Sequence, residues 1–376
     1  MTTSSLFRAI GLMSGTSMDG IDVAVVETDG DARLTLGPHA SLPYPSDLRH
    51  TLLHLPGNGI NVETAEREVT DLQSRAVRAL CVDSNIDLSS VNVVGFHGQT
   101  IRHDPQNGKT WQLGNGQHMA DTLGCLVVNN FRQSDLDNGG QGAPFAPAYH
   151  QALVRACAIQ EPIAVLNIGG VSNVTLVDGE KLHACDCGPG NALIDDWVST
   201  RCGVPYDEDG KIAAMGRIDE RALETLLSSN YFHLRGPKSL DRNAFSAQPV
   251  WELSPPDGTA TLTAFTAAAI ATEARRLPSA PREWVVVGGG RHNAHLLSEL
   301  RRRLAAPVRI AEDLGWVGDA IEAQAFGYLA VRSLLKLPLS WPGTTGVCRP
   351  VTGGVCWKPN SGSTSMPALP GSGSTV

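Results

Sequence analysis

The chain has 376 residues, with 30 Lys plus Arg against 38 Asp plus Glu and a formal net charge of −8. That length accommodates two domains with substantial cores, and the acidic balance argues against broad nucleic-acid or membrane-surface binding while leaving room for a local basic pocket. With 42% hydrophobic residues and eight scattered cysteines, no apolar run of membrane-spanning length and no basic-then-apolar leader, the sequence reads as a cytoplasmic protein with reduced thiols.

The first informative stretch runs from Ile10 to Asp22. An apolar run enters it, Gly11, Gly15 and Gly20 alternate with the hydroxyl residues Ser14, Thr16 and Ser17, and an alternating run (Ile21, Val23, Val25) leaves it. The pattern predicts strand, tight polar turn, strand. Such a turn offers backbone amides and hydroxyls to an anion, with Asp19 placed to hold a hydrated cation. It also fits an ordinary β-turn with no ligand. Arg33 to Leu42 supplies a third strand. Asn61 reads as the N-cap of a helix whose apolar positions (Val62, Ala65, Val69, Leu72, Ala76, then Ala79 or Leu80) form one stripe. A strand from Val91 to Phe96 opens into His97-Gly98-Gln99-Thr100, and another from Cys125 to Val128 opens into Asn129-Asn130-Phe131-Arg132 and the Gly-rich loop Ser134 to Pro147. In α/β proteins such strand ends carry ligands.

Ala164 to Val177 repeats the opening logic, with Gly169-Gly170-Val171-Ser172-Asn173 as its turn. Two such units half a chain apart suggest a duplicated architecture with a cleft between halves. Lys181 to Cys185 reads as a strand, followed by Asp186-Cys187-Gly188-Pro189-Gly190-Asn191 and a helix over 192–200. An Ala- and Thr-rich helix (259–276) precedes a strand from Trp284 to Val287, which breaks at Gly288-Gly289-Gly290 before a helix near Asn293. A short strand (308–310) and a last helix (319–336) follow. The domains expected are 1–145, completed by a late C-terminal segment, and 146–340. Pro, Gly, Ser and Thr accumulate over 341–376, which reads as a low-complexity, disordered tail.

Asp186 is either a general base admitted to a substrate by flanking glycines or a turn or capping aspartate. Cys185 and Cys187 bracket it, and the lack of a second cysteine pair at metal spacing argues against zinc. The triple glycine suits a nucleotide contact, whereas neither a Rossmann fingerprint nor a Walker P-loop occurs, so ATP use requires a hairpin-based cradle. His97 is either a ligand contact or a satisfied histidine at a strand end. Periodicity alone puts Glu322 on the solvent side of the last helix.

Seven segments in order resemble the anhydro-N-acetylmuramic acid kinase family: Gly11 to Asp22, Gly95 to Thr100, Gly139 to Pro144, Asn167 to Asn173, Asp186 to Asn191, Gly288-Gly289-Gly290 with Asn293, and Glu322 to Phe326. The resemblance covers about residues 10 to 330. It implies the actin-like ATPase (sugar kinase/hsp70/actin) α/β fold, two domains around a central cleft. It also implies an ATP- and Mg2+-dependent, homodimeric, cytoplasmic enzyme of cell-wall recycling that converts 1,6-anhydro-N-acetylmuramic acid, ATP and water into N-acetylmuramic acid 6-phosphate and ADP.

By the same resemblance Asp186 deprotonates water and Glu322 orients the water or the bridge oxygen. Gly11, Leu12, Met13, Ser14, Gly15, Thr16, Ser17, Met18 and Asp19 take the phosphates, with Asp19 on the magnesium side. Gly169, Gly170, Gly288, Gly289, Gly290 and Asn293 complete the nucleotide contacts. His97, Gln99, Arg132, Asp135 and Gly142 line the sugar side, Arg132 facing the lactyl carboxylate. The chain departs from the family pattern at Asn130 (usually Asp), Cys187 (commonly Thr), Leu240-Asp241 with Asn243 (usually Thr-Gly and Glu) and Arg291 (usually Ala). Two alternatives follow from these departures: a kinase of another anhydro sugar such as levoglucosan, or a non-catalytic nucleotide- or sugar-binding protein of the same fold.

Overall fold

The computed structural model describes residues 5–15, 18, 20–55 and 61–360. Thr16, Ser17, Asp19 and the expected tail from 361 lie outside these residues. The strands are β1 (Phe7–Ser14), β2 (Gly20–Thr28), β3 (Leu34–Pro43), β4 (Val93–Asp104), β5 (Lys109–Leu113), β6 (Val127–Asn129), β7 (Ile163–Ile168), β8 (Val171–Asp178), β9 (Lys181–Pro189), β10 (Glu283–Val287), β11 (Val308–Ile310) and β12 (Val355–Trp357). The chain divides into two compact α/β units. The first takes Met1–Ala158, Glu322–Pro342 and Val347–Val376; the second takes Ile159–Ile321 and Gly343–Gly346.

In the first unit one sheet runs β12-β6-β4-β1-β2-β3, with β5 added to β4. The opening hairpin forms as its alternation predicts, β1 pairing antiparallel with β2 from Phe7–Thr28 to Met13–Asp22. The helix Val62–Asp83 is capped by Asn61, whose side chain accepts from the amides of Glu63 and Thr64. Its stripe (Ala65, Val69, Leu72, Ala76, Leu80) enters the core with Ile10, Leu12, Ile21 and Val23.

Three boundaries differ from the sequence expectation, the first being that residues 322–340, expected in the second domain, belong to the first unit. The helix Pro147–Ala156 also belongs to the first unit, because the Tyr149 hydroxyl donates to Gln324 Oε1 at 2.7 Å and its ring meets Tyr328 at 5.8 Å. Nor is the chain after 341 structureless throughout. Pro342–Thr345 is a helical turn, and β12 pairs antiparallel with β6. The Trp357 indole nitrogen donates to Asn129 Oδ1 at 2.8 Å. A low-complexity stretch acquires order here because an open sheet edge supplies its backbone partners, which composition does not register.

The second unit holds a sheet ordered β11-β10-β7-β8-β9, with β11, β10 and β7 parallel and β7-β8-β9 an antiparallel meander. The helix Pro255–Ala274 packs on it and is buried along most of its length. Its threonines are tolerated there because Thr259, Thr261 and Thr263 each donate to the carbonyl four residues earlier.

The helix Ile321–Leu334 lies hard against the first unit's sheet. A Cβ at Gly11 on β1 would overlap the Ala323 carbonyl oxygen and the Gly327 nitrogen, and one at Gly95 on β4 would overlap the Phe326 carbonyl. Backbone meets backbone with no side chain between. Neither Gly11→Ala nor Gly95→Ala has a flexible neighbour to displace. Each is expected to cost roughly 3 kcal/mol, at the upper end of overpacking penalties, read as a Tm fall on the order of 10 °C.

Candidate active site

In the first unit the candidate residues begin at the hairpin tip. Leu12 is fully buried in the core, so its side chain packs rather than binds. Ser14 is also buried, its hydroxyl 2.6 Å from Gln99 Oε1 and 3.0 Å from the Gly20 carbonyl. Gln99 Nε2 donates to the carbonyls of Gly15 and Thr100, each at 3.1 Å. Gln99, expected on the sugar side, is thus a fully buried brace joining β4 to the turn. Met18, buried with φ 56°, donates its amide to the Gly15 carbonyl and so closes the turn. Met13 remains half-buried opposite Asp22.

His97, at the bend of β4, is nearly inaccessible. Arg132 Nε and NH2 lie 3.1 and 3.0 Å from His97 Nε2, and His97 Nδ1 is 2.8 Å from the Gly98 carbonyl. A guanidinium only donates, so Nε2 accepts and Nδ1 carries the proton. Burial, reinforced by the Arg132 charge, pushes the His97 pKa well below its ordinary value. It is a neutral, oriented ring rather than a proton shuttle. Arg132 NH1 also donates to the Gly142 carbonyl at 2.7 Å, and its guanidinium stands over Phe145.

Asp135 was expected to face the sugar. Instead its two oxygens accept from the Gly142 amide at 2.7 Å and the Ser340 hydroxyl at 2.6 Å, and it is 1% exposed. Asp135 and Gly142 therefore shape the Gly-rich loop from within. The His97 ring packs on Phe326 at 4.4 Å. Glu322 lies four residues earlier on that helix, so the two share a face, and Glu322 is half-buried rather than solvated.

A cavity of about 300 Å³ in this unit is lined by His97, Trp111, Gln112, Asn129, Asn130 and Trp357, among others. Trp111, Gln112 and Trp357 are not anticipated from the sequence, whereas Asn129 lies at a strand end that is. Trp357 lies in the stretch that composition assigns to disorder, and Trp111 sits on a strand not anticipated. Asn130 occupies the left-handed region (φ 52°), which asparagine tolerates better than most residues.

In the second unit the ends of β7, β9 and β10 converge. Gly288 has φ 74°, and a Cβ there would strike Asn167 Oδ1. Gly290 packs on Ile168. By contrast, Gly169, Gly170 and Gly289 face space in which no atom lies within 3.4 Å of an added Cβ. Those two turns can admit a ligand to the backbone. The Asn191 amide donates to the Gly169 carbonyl at 2.7 Å, and the Thr266 hydroxyl donates to the Gly190 carbonyl at 3.0 Å, tying the third strand end to the group. Asn293, expected on the nucleotide, is 8% exposed and caps the helix Ala294–Arg303 by accepting from the Leu296 amide. Arg291, buried, spans Asp319 (2.6 and 2.8 Å), Glu312 (2.8 Å) and the Gly288 carbonyl (3.0 Å), pinning the triple glycine.

Asp186 lies inside β9 rather than after it. Asn173 pairs with Asp186 and Ser172 with Gly188, so Cys187 is an extra residue, a β-bulge. Bulges re-aim a neighbouring side chain. The carboxylate is 8% exposed, and its Oδ2 accepts from the Leu240 amide at 2.7 Å. Leu240 departs from the family pattern, but the contact uses its backbone.

For a divalent cation the described residues offer one three-ligand cluster, His183, Cys185 and Glu273. A thiol and an imidazole do not suit Mg2+, which prefers oxygen, so this cluster is not a magnesium site. Asp19 falls outside the described residues.

The family model for anhydro-N-acetylmuramic acid kinase matches residues 7–359. An anhydro-N-acetylmuramic acid kinase of Paramagnetospirillum magneticum is 48% identical over 351 residues, 92% of this chain and 98% of its own. Its counterpart from Nitrobacter winogradskyi is 47% identical over 366 residues, covering 94% and 100%. Component A of the (R)-2-hydroxyglutaryl-CoA dehydratase of Acidaminococcus fermentans superposes with a TM-score of 0.50 over 86% of this chain and 99% of its own, at 12% identity, a likeness of fold alone.

Buried imidazoles make stability depend on pH. His150, also fully buried, has its pKa lowered to about 3 by burial. The unfolded chain takes up that proton near pH 6.5 and the folded chain does not, so stability present above pH 6.5 is lost as pH falls. At pH 5 His150 alone removes about 2 kcal/mol, and His97 acts in the same direction. Urea unfolding at pH 7 and 5 reads the loss, and His150→Gln should reduce the slope. With the buried carboxylate, the glycine turns and a match spanning nearly all described residues, the chain belongs to the anhydro-N-acetylmuramic acid kinase family.

Proposed function

We propose that the chain opens 1,6-anhydro-N-acetylmuramic acid with water and phosphorylates O6 from ATP, releasing N-acetylmuramic acid 6-phosphate and ADP. The observation that carries this reading is Asp186: a carboxylate turned by a β-bulge and gripped by a loop amide, in a unit whose open glycine turns suit phosphates. In the substrate O6 is bound in the bridge and has no proton to lose. The base must therefore work on water. Asp186 takes a water proton as the oxygen attacks C1. The C1–O6 bond breaks, O6 attacks the γ-phosphorus, and the bond to ADP breaks. Glu322 orients the water or bridge oxygen. Positioning and preorganised charge supply most of the acceleration.

The phosphates are assigned to the hairpin tip from Met13 to Asp19 and to Gly169, Gly170 and Gly289. Gly11, Leu12, Gly288, Gly290 and Asn293 support these turns from behind. Mg2+ bound with the nucleotide would neutralise phosphate charge, with Asp19 its protein-side carboxylate. On the sugar side His97 and the residues around the 300 Å³ cavity meet the substrate, and Arg132, held by His97 and Gly142, presents a fixed cation toward the lactyl carboxylate. A homodimer in the cytoplasm is part of the same reading.

Purified protein incubated with magnesium–ATP and the anhydro sugar is expected to yield the 6-phosphate, detected by mass spectrometry. ATP binding without that product would refute the reading. Levoglucosan, which lacks the lactyl group, should be turned over far more slowly. Asp186→Asn should lower kcat by about 10³-fold, within the range for a lost general base, with ATP affinity nearly unchanged by calorimetry. Gly289→Val should raise the KM for ATP at least tenfold while Tm stays within about 2 °C, as expected of a surface change.

A further inference from the structure

The residues behind Asp186 form a second constellation. His183, Cys185 and Glu273 bring their ligand atoms within 4.8 Å of one another, an arrangement that resembles a metal site. It already has a cation beside it. Lys238, 6% exposed, places its ammonium 2.9 Å from Glu273 Oε2 and 4.5 Å from the centre of the Tyr231 ring. Arg276 adds a second positive group 3.5 Å from the same carboxylate. The Cys185 thiol is held protonated, its pKa raised well above the ordinary value by the neighbouring Cys187 thiol and by burial. A protonated thiol is a poor ligand. The cluster is built around an internal ammonium rather than a metal.

Lys238 itself, its neighbour Leu240 and its partner Tyr231 all touch Asp186. The Lys238 carbonyl accepts from the Asp186 amide at 3.0 Å, and two residues on the Leu240 amide donates to the carboxylate at 2.7 Å. The Tyr231 hydroxyl donates to the Asp186 carbonyl at 2.7 Å. The chain from Leu234 to Leu240 is neither helix nor strand. It has no regular ladder to hold its backbone, so a buried side-chain anchor decides where its carbonyl and amide stand. A buried ion pair suits this task because its geometry is directional and slipping it leaves a charge uncompensated.

We propose that Lys238 is a positioning residue for Asp186: its ammonium, seated between Glu273 and Tyr231, locks the loop whose backbone orients the carboxylate. This rests on the reading of Asp186 as the base. Lys238→Met should lower kcat at least tenfold while the KM values for ATP and sugar stay within threefold, because the buried ammonium acts through the base. In parallel, hydrogen–deuterium exchange of the peptide spanning 237–243 should quicken at least tenfold, a readout that needs no turnover. Should Lys238→Met fail to fold, the double variant K238M/E273Q, which removes both charges, carries the same test. A kcat within twofold of the parent, or a fall in kcat with unchanged exchange, would overturn the proposal. Asp186→Asn, run alongside, separates the two readings. If it turns over at the parental rate, the assignment of Asp186 fails. If it is inactive while the Lys238 variant is fully active, the positioning role alone fails.

Discussion

Much of the first unit depends on a missing atom at two positions. Gly11 and Gly95 lie on neighbouring strands, and the helix Ile321–Leu334 presses its own backbone into the space a Cβ would fill. That approach sets the height of the helix above the sheet. It therefore sets where Phe326 meets His97 and where Glu322 stands one turn away. A methyl group at either glycine would lift the helix by a distance comparable to the tolerance of a reacting geometry. The residue type that first suggested a phosphate contact thus serves the site from the rear.

The second unit solves a related problem by hydrogen bonding. Glycine turns open enough to admit a ligand have few side chains to stabilise them. They are held from outside by Arg291 on the Gly288 carbonyl, Thr266 on the Gly190 carbonyl and the Asn191 amide on Gly169. Arg291 is one of the family departures, and its guanidinium donates to three residues, Glu312, Asp319 and Gly288. It brings its own partners, Asp319 and Glu312, so a large cation is accommodated beside the turn with its charge matched.

What was legible in the sequence divides along physical lines. Period-two and period-3.6 patterns gave β1, β2, β7, β8 and the helix Val62–Asp83 with its Asn61 cap, because burial of one face is written directly into residue order. Site motifs were legible as clusters of glycine and polar residues, but the direction of each side chain was not. Gln99, Asp135 and Asn293 looked like ligand contacts and proved to be engaged by backbone and neighbouring side chains, since a buried polar group must find partners whether or not a substrate binds. The Cys187 bulge that places Asp186 inside β9 depends on register between strands, which no single segment contains. Trp357 was missed for the same reason: its partner, Asn129, lies more than two hundred residues away.

That long return has a consequence for the order of synthesis. The first unit's sheet is begun by β1 and finished by β12, with the whole of the second unit inserted between. As the chain leaves the ribosome, β6 waits with an open edge, and the sheet faces water on the side later covered by the helix Ile321–Leu334. The second unit, nearly continuous in sequence, can close first. The nascent first unit therefore exposes an apolar face and an unpaired strand through most of translation, the condition under which chaperones are recruited and edge-to-edge association begins.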